Sequence, residues 1–138
     1  KFVNLPLKNP SKWYFFSTWM YPYLSKKSND SLPIHKFYKK LQFKIGHEVL
    51  EIGKVFKLFS QEHSEIKLLG DDNKHPSPQG SYLAACVIFT QLSNISPIGL
   101  PTRFFDQDEL EKQVIYYNIL YADTGIKIQK FVNDYFNL

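Results

Sequence analysis

The sequence predicts an α/β fold with a parallel sheet, because segments typical of strands alternate with segments typical of helices. Trp13 to Met20 is a short aromatic and apolar run bounded by turn formers, as in a buried strand. His47 to Gly53 is a second short strand, with a helical pattern before and after it. Strands joined through helices form parallel sheets, and the functional loops of such sheets lie beyond the carboxyl ends of the strands.

Capping residues and apolar spacing place the first two helices. Asn29-Asp30-Ser31 is a helix-start signature with Pro33 in the first turn, and this helix ends at Gly46. The second helix runs from Lys54 to His63. The predicted buried face of the first helix consists of residues at three- and four-residue spacing: Ile34, Phe37, Tyr38, Leu41 and Ile45.

The second half of the chain contains two more predicted helices. One runs from Pro78 to Asn94, and Asp123 or Thr124 caps the other. Between them, Asp106 to Glu111 is a polar turn or helical piece, and Val114 to Tyr121 favours extended structure. The predicted buried face of the last helix consists of Ile126, Ile128, Phe131, Val132, Tyr135 and Phe136.

Length and composition restrict the classes of protein. The 138 residues suit a single domain over 1–138, in which 102–138 is an extension that packs on the rest. Net charge is +4, but the lysines are dispersed and Arg103 is the only arginine, which argues against a nucleic-acid partner. No apolar run reaches the ~18 residues of a membrane span. Cys86 is the only cysteine, so it forms no intrachain disulfide, and it is expected to be an unreactive core residue.

The most informative stretch is Gly70 to Cys86, which places a carboxylate three residues before a histidine. Imidazole exchanges protons near neutral pH, and a carboxylate beside it fixes its tautomer and stabilises its cation. A three-residue offset in a loop lets one side chain reach the other. Asp72 and His75 are therefore candidates for the orienter and general base of a hydrolytic triad.

Asp72, His75 and their neighbours also allow alternative assignments. Asp71 competes with Asp72 as the orienter, and Ser77 is either a nucleophile or, as its position before Pro78 favours, a helix cap. Asp71, Asp72, His75 and His63 are of metal-ligand type, but their spacing matches no known cluster. No cofactor is expected.

Two neighbouring segments carry a family resemblance: Asp72-x-x-His75-Pro76-Ser77-x-x-Gly80-x-Tyr82-Leu83-Ala84-Ala85-Cys86 and, after it, Ser96-Pro97-Ile98-Gly99-Leu100-Pro101. Together they resemble the C-terminal block of SGNH/GDSL-type serine hydrolases. The resemblance implies a three-layer α/β/α, flavodoxin-like fold with a parallel sheet. It also implies that Asp72 and His75 belong to a Ser-His-Asp triad. The family takes its serine from a Gly-Asp-Ser motif near the N-terminus, and this chain contains none. The expectation is therefore the C-terminal portion of such an enzyme.

The resemblance also implies a substrate class and a partner. Relatives in this family cleave acyl or acetyl esters, including those of carbohydrates, and Trp19, Tyr21 and Tyr23 would line the rim of the site. An N-terminal half or a partner chain would supply the serine, and the chain alone is expected to be inactive. The alternative is a non-catalytic binding or structural module that keeps the hydrolase scaffold. Secreted, periplasmic and cytoplasmic locations all stay open.

Overall fold

A computed structural model describes residues 12–22, 33–107 and 114–138. In this part of the chain the protein is a mixed α/β structure with four helices and two two-stranded sheets. The strands are β1 (Tyr14–Phe16), β2 (Glu48–Leu50), β3 (Arg103–Gln107) and β4 (Val114–Ile119). The helices are α1 (Pro33–Ile45), α2 (Ile52–Glu62), α3 (Pro78–Ser93) and α4 (Ala122–Phe136).

The predicted parallel pairing is confirmed for β1 and β2, which are connected through α1. Tyr14 lies opposite Glu48, and Phe16 lies opposite Leu50. Both strands are shorter than predicted. The expectation of a fully buried first strand is wrong, because Phe16 is 42% exposed and Trp13, just before it, is 53% exposed.

The predicted second strand does not continue to Gly53, because α2 already begins at Ile52. The amide of Gly53 donates a hydrogen bond of 3.0 Å to the backbone oxygen of Ser17. A Cβ on Gly53 would lie 2.0 Å from the backbone oxygen of Thr18. A glycine at this position therefore lets the first turn of α2 lie directly on the segment that follows β1.

Helix α1 has the predicted end but only part of the predicted buried face. Gly46 follows it with φ of +72°, the left-handed conformation that commonly ends a helix. Tyr38 and Leu41 are half-buried, whereas Phe37 is exposed, so its assignment to the core is wrong. The side chains of Ile34 and Ile45 lie outside the described residues.

Helix α3 forms the centre of the core. Pro78 is in its first turn and Ser77 caps it, as the sequence predicts, and Asn94 follows its last residue in the left-handed conformation. It packs against α2 and α4. The thiol of Cys86 is fully buried, and burial raises its pKa to about 12, which suits an unreactive core residue. The core cluster also contains Leu50, Ile52, Val55, Phe56, Phe59, Leu68, Tyr82, Leu83, Val87, Leu120, Ile128 and Val132.

The described part of the predicted extension, 102–138, contains the antiparallel hairpin β3–β4 and helix α4. The preference for extended structure in the β4 segment is confirmed, but Asp106 lies in strand β3 and not in a turn or helix. Residues 108–113 lie outside the described part. Helix α4 begins at Ala122 with no side-chain cap, so the expected cap by Asp123 or Thr124 is wrong.

Helix α4 packs against α3 through part of its predicted face. Ile128 and Val132 are buried and Phe131 is half-buried, whereas Ile126 is 48% exposed and its predicted burial is wrong. Gln129, which is not among the residues predicted for this face, is also buried, and its Nε2 donates to the hydroxyl of Tyr82 at 2.6 Å.

A carboxylate at the carboxyl end of β2 joins two of the surrounding helices. Glu51 accepts hydrogen bonds from the Lys39 ammonium at 2.8 Å and from the Tyr135 hydroxyl at 2.5 Å. Burial favours the neutral acid, but these hydrogen bonds outweigh it and lower the pKa of Glu51 below its usual value. Glu51 thus ties α1 and α4 to the end of the parallel sheet.

Candidate active site

The loop from Gly70 to Ser77 is closed by backbone hydrogen bonds between its two arms. The amide of Gly70 donates to the oxygen of His75 at 2.9 Å, and the amide of Ser77 donates to the oxygen of Leu68 at 2.9 Å. Asn73, at the tip, has φ of +54°, which asparagine tolerates better than most residues. Leu69, just before the loop, and Pro76, near its end, form an isolated antiparallel bridge. These contacts hold the loop in one conformation between the core and α3.

The structure brings Asp72 and His75 into direct contact. Oδ2 of Asp72 lies 2.5 Å from Nδ1 of His75. Oδ1 of Asp72 accepts hydrogen bonds from the backbone amides of Lys74 and His75, each at 3.0 Å. The Lys74 amide, the imidazole and the His75 amide together lower the pKa of Asp72 to about 2. Asp72 is therefore a carboxylate at neutral pH, with Oδ1 bound to the backbone amides and Oδ2 bound to the imidazole.

The geometry leaves the second ring nitrogen of His75 accessible. A carboxylate acceptor at Nδ1 implies that the neutral ring carries its proton there, so the lone pair is on Nε2. The His75 side chain is 84% exposed, and Nε2 can be reached from solvent. Such a ring is able to take a proton from a hydroxyl group brought to this surface.

Ser77 lies next to this pair, but its hydroxyl forms hydrogen bonds with the backbone. Its hydroxyl accepts a hydrogen bond from the amide of Gly80 at 3.1 Å and donates one to the oxygen of Lys67 at 2.7 Å. The residue is 9% exposed. Ser77 therefore has the geometry of the predicted helix cap and not that of a nucleophile.

The four side chains of metal-ligand type, Asp71, Asp72, His75 and His63, do not form one group. Asp71 is exposed in the loop. His63 packs against Phe59, with ring centroids 4.7 Å apart, and its ring nitrogens approach Glu62 and Glu65. Among the residues that the structure describes, no three histidine, cysteine or acidic side chains are grouped so that they could hold a metal ion.

Of the three residues predicted to form a rim, Trp19 touches the loop itself. Its indole Nε1 donates to the backbone oxygen of Lys74 at 2.9 Å. Its ring stacks on Phe56, with centroids 4.8 Å apart and planes 16° apart. Tyr21 is half-buried two residues further on. Tyr23 lies outside the described residues.

The segment that carries Trp19 is fixed at the carboxyl end of the parallel strands. The hydroxyl of Ser17, which is 1% exposed, donates to the oxygen of Leu50 at 2.6 Å. The hydrogen bond of Ser17 and the contacts of Gly53 and Phe56 with the same segment are not predicted from the sequence. A glycine at the start of a helical pattern was the one signal that could have indicated them. The candidate site thus lies at the edge where an α/β fold is expected to place its chemistry.

Comparison of the chain with protein-family models, with curated proteins and with solved structures found no match. No helix in the described part of the chain is both long and apolar enough to cross a membrane. A functional assignment therefore depends on the loop motif and on the geometry of Asp72 and His75.

Proposed function

We propose that this protein acts in ester hydrolysis as the part of an SGNH/GDSL-type serine hydrolase that supplies the acid and histidine of the triad. The substrates are acyl or acetyl esters of small molecules or carbohydrates. The observation that carries the proposal is the 2.5 Å contact between Asp72 Oδ2 and His75 Nδ1, in a loop where the opposite ring nitrogen is accessible. The serine comes from residues outside this chain, in an N-terminal half or a partner chain. The complete protein has the three-layer, flavodoxin-like arrangement of that family.

Each residue has a defined part in this mechanism. His75 Nε2 takes the proton of the serine hydroxyl as the serine oxygen attacks the ester carbonyl carbon. The resulting imidazolium then gives that proton to the alkoxide oxygen that leaves. A water molecule, whose proton His75 takes, then attacks the acyl-serine in the same way, and the acyl group is released as the free acid. General base catalysis of this type contributes about 10²–10⁴-fold.

Asp72 supports both proton transfers without changing its own protonation state. Its pKa of about 2 keeps it ionised at neutral pH. The carboxylate holds the ring in the tautomer with a free Nε2, and it stabilises the imidazolium once this forms. Since Oδ1 is already occupied by two backbone amides, Oδ2 is directed to the ring.

The experiment is the hydrolysis of nitrophenyl acetate by the protein extended to include the sequence encoded upstream of Lys1. The proposal predicts release of nitrophenol and its loss in His75→Ala. His47→Ala, at an exposed histidine away from the loop, serves as the control and keeps full activity. Activity retained in His75→Ala would show that His75 is not the base.

A non-catalytic binding module on the same scaffold is the second candidate. It is favoured by the lack of a Gly-Asp-Ser sequence and by the engagement of Ser17 and Ser77 in backbone hydrogen bonds. This candidate predicts that the 138-residue chain is monomeric and binds a carbohydrate without turnover. Isothermal titration with acetylated and deacetylated oligosaccharides, followed by analysis of the sugar for deacetylation, separates the two candidates.

A further inference from the structure

A single peptide group connects Trp19 with the Asp72–His75 pair. The carbonyl oxygen of Lys74 accepts the indole hydrogen bond of Trp19 at 2.9 Å. The amide of His75 belongs to the same peptide group and donates to Asp72 Oδ1 at 3.0 Å. Because a peptide group is planar and rigid, its two ends turn together. Rotation of this group would break both hydrogen bonds at once.

Trp19 is itself held firmly enough to fix the peptide group. Its ring stacks on Phe56, which is only 4% exposed. Its main chain follows β1 directly, where the Ser17 hydroxyl is bonded to Leu50 and the Thr18 oxygen lies against Gly53. The indole N–H is thus a donor whose position is set by the parallel sheet and by α2.

We infer that Trp19 is a positioning residue for the Asp72–His75 pair: its indole N–H orients the Lys74–His75 peptide group, so that the backbone occupies Asp72 Oδ1 and leaves Oδ2 for the imidazole. This role differs from the expected one at the substrate rim. The consequence for catalysis rests on the proposed function, but the geometric role does not.

Trp19→Phe tests the inference, because phenylalanine retains an aromatic ring against Phe56 but has no N–H donor. Trp13→Phe is the matched control, since Trp13 lies at the other end of β1 and is 53% exposed. Two NMR readouts on the 138-residue chain report the geometry. The ring ¹⁵N shifts of His75 give its tautomer at pH 8, and the carboxyl ¹³C shift of Asp72 gives its titration midpoint.

The wild-type chain should show His75 mainly with the proton on Nδ1. In Trp19→Phe the fraction of this tautomer falls, and the pKa of Asp72 rises from about 2 toward its usual 3.8, because the backbone amides are less well aligned with Oδ1. Trp13→Phe leaves both readouts unchanged. If Trp19→Phe also leaves both readouts at their wild-type values, the inference is wrong.

The extended protein separates this inference from the proposed function. There Trp19→Phe is expected to lower kcat on the order of 10-fold with little change in KM, since only the alignment of the base is impaired. If the extended wild-type protein has no esterase activity, the proposed function fails, whereas the NMR comparison still decides whether Trp19 positions the pair.

If Trp19→Phe does not fold, hydrogen exchange of the indole groups in the wild-type chain tests the positioning role of Trp19. The indole N–H of Trp19 should exchange with deuterium at least about 10-fold more slowly than that of Trp13, because it is hydrogen-bonded and stacked. Equal exchange rates for the two indoles would overturn the inference.

Discussion

Replacing Ser77 by alanine should destabilise the fold by about 2 kcal/mol, because its hydroxyl forms hydrogen bonds with two backbone groups. Loss of the hydrogen bond from the Gly80 amide removes the cap of α3, which is worth about 1 kcal/mol. Loss of the 2.7 Å bond to the Lys67 oxygen costs about 1 kcal/mol more. In a chain of this size a loss of 2 kcal/mol lowers Tm by about 6 °C.

Urea unfolding followed by far-UV circular dichroism measures this loss. Ser81→Ala is the matched control, because Ser81 is an exposed residue of the same helix and alanine is the better helix former there. The unfolding midpoint of Ser81→Ala should equal or exceed that of the wild type. A free energy of unfolding for Ser77→Ala within about 0.5 kcal/mol of the wild-type value, the range of ordinary surface substitutions, would refute the anchoring role assigned to this hydroxyl.

Three further predictions concern the core and the loop. Gly80→Ala places a Cβ 2.0 Å from the Leu68 oxygen and should cost about 3 kcal/mol in urea unfolding. In Gly46→Ala the new Cβ meets no atom of the described residues within 4 Å, so only the φ of +72° opposes the change and the cost should be about 1 kcal/mol. The buried Cys86 thiol, with its pKa raised to about 12, should not react with a thiol reagent at neutral pH until urea unfolds the chain. The pKa of Asp72 is about 2 in the folded chain, below its usual 3.8, so the unfolded chain takes up the proton first as the pH falls. Stability should therefore decrease as the pH drops from about 4 to 2. Over that range Tm should fall less steeply for Asp72→Asn than for the wild type.

The sequence predicted correctly those helix ends that are determined by neighbouring residues. Ser77 and Pro78 start α3, and Gly46 ends α1, because caps and left-handed residues act on the chain next to them. The Asp72–His75 contact could be predicted for the same reason, since both partners lie in one short loop.

Features that depend on distant partners were missed or misjudged. Asp106 appeared too polar for a strand, but in a two-stranded hairpin both faces are exposed and polarity does not exclude pairing. Apolar spacing marked Phe37 and Ile126 as core residues, yet periodicity identifies a face without showing what covers it. Trp19 was assigned to a substrate rim, because no pattern in the sequence reveals that its indole reaches a carbonyl 55 residues away.

The role of His75 as general base is tested most directly by the activity of the extended protein toward nitrophenyl acetate with His75 replaced by glutamine. Glutamine keeps a polar side chain at the loop but cannot act as a general base at neutral pH. His75→Gln is expected to lose turnover by at least about 10²-fold, while His47→Gln remains at the wild-type rate. Equal rates for the two variants would contradict the assignment of His75 as the base.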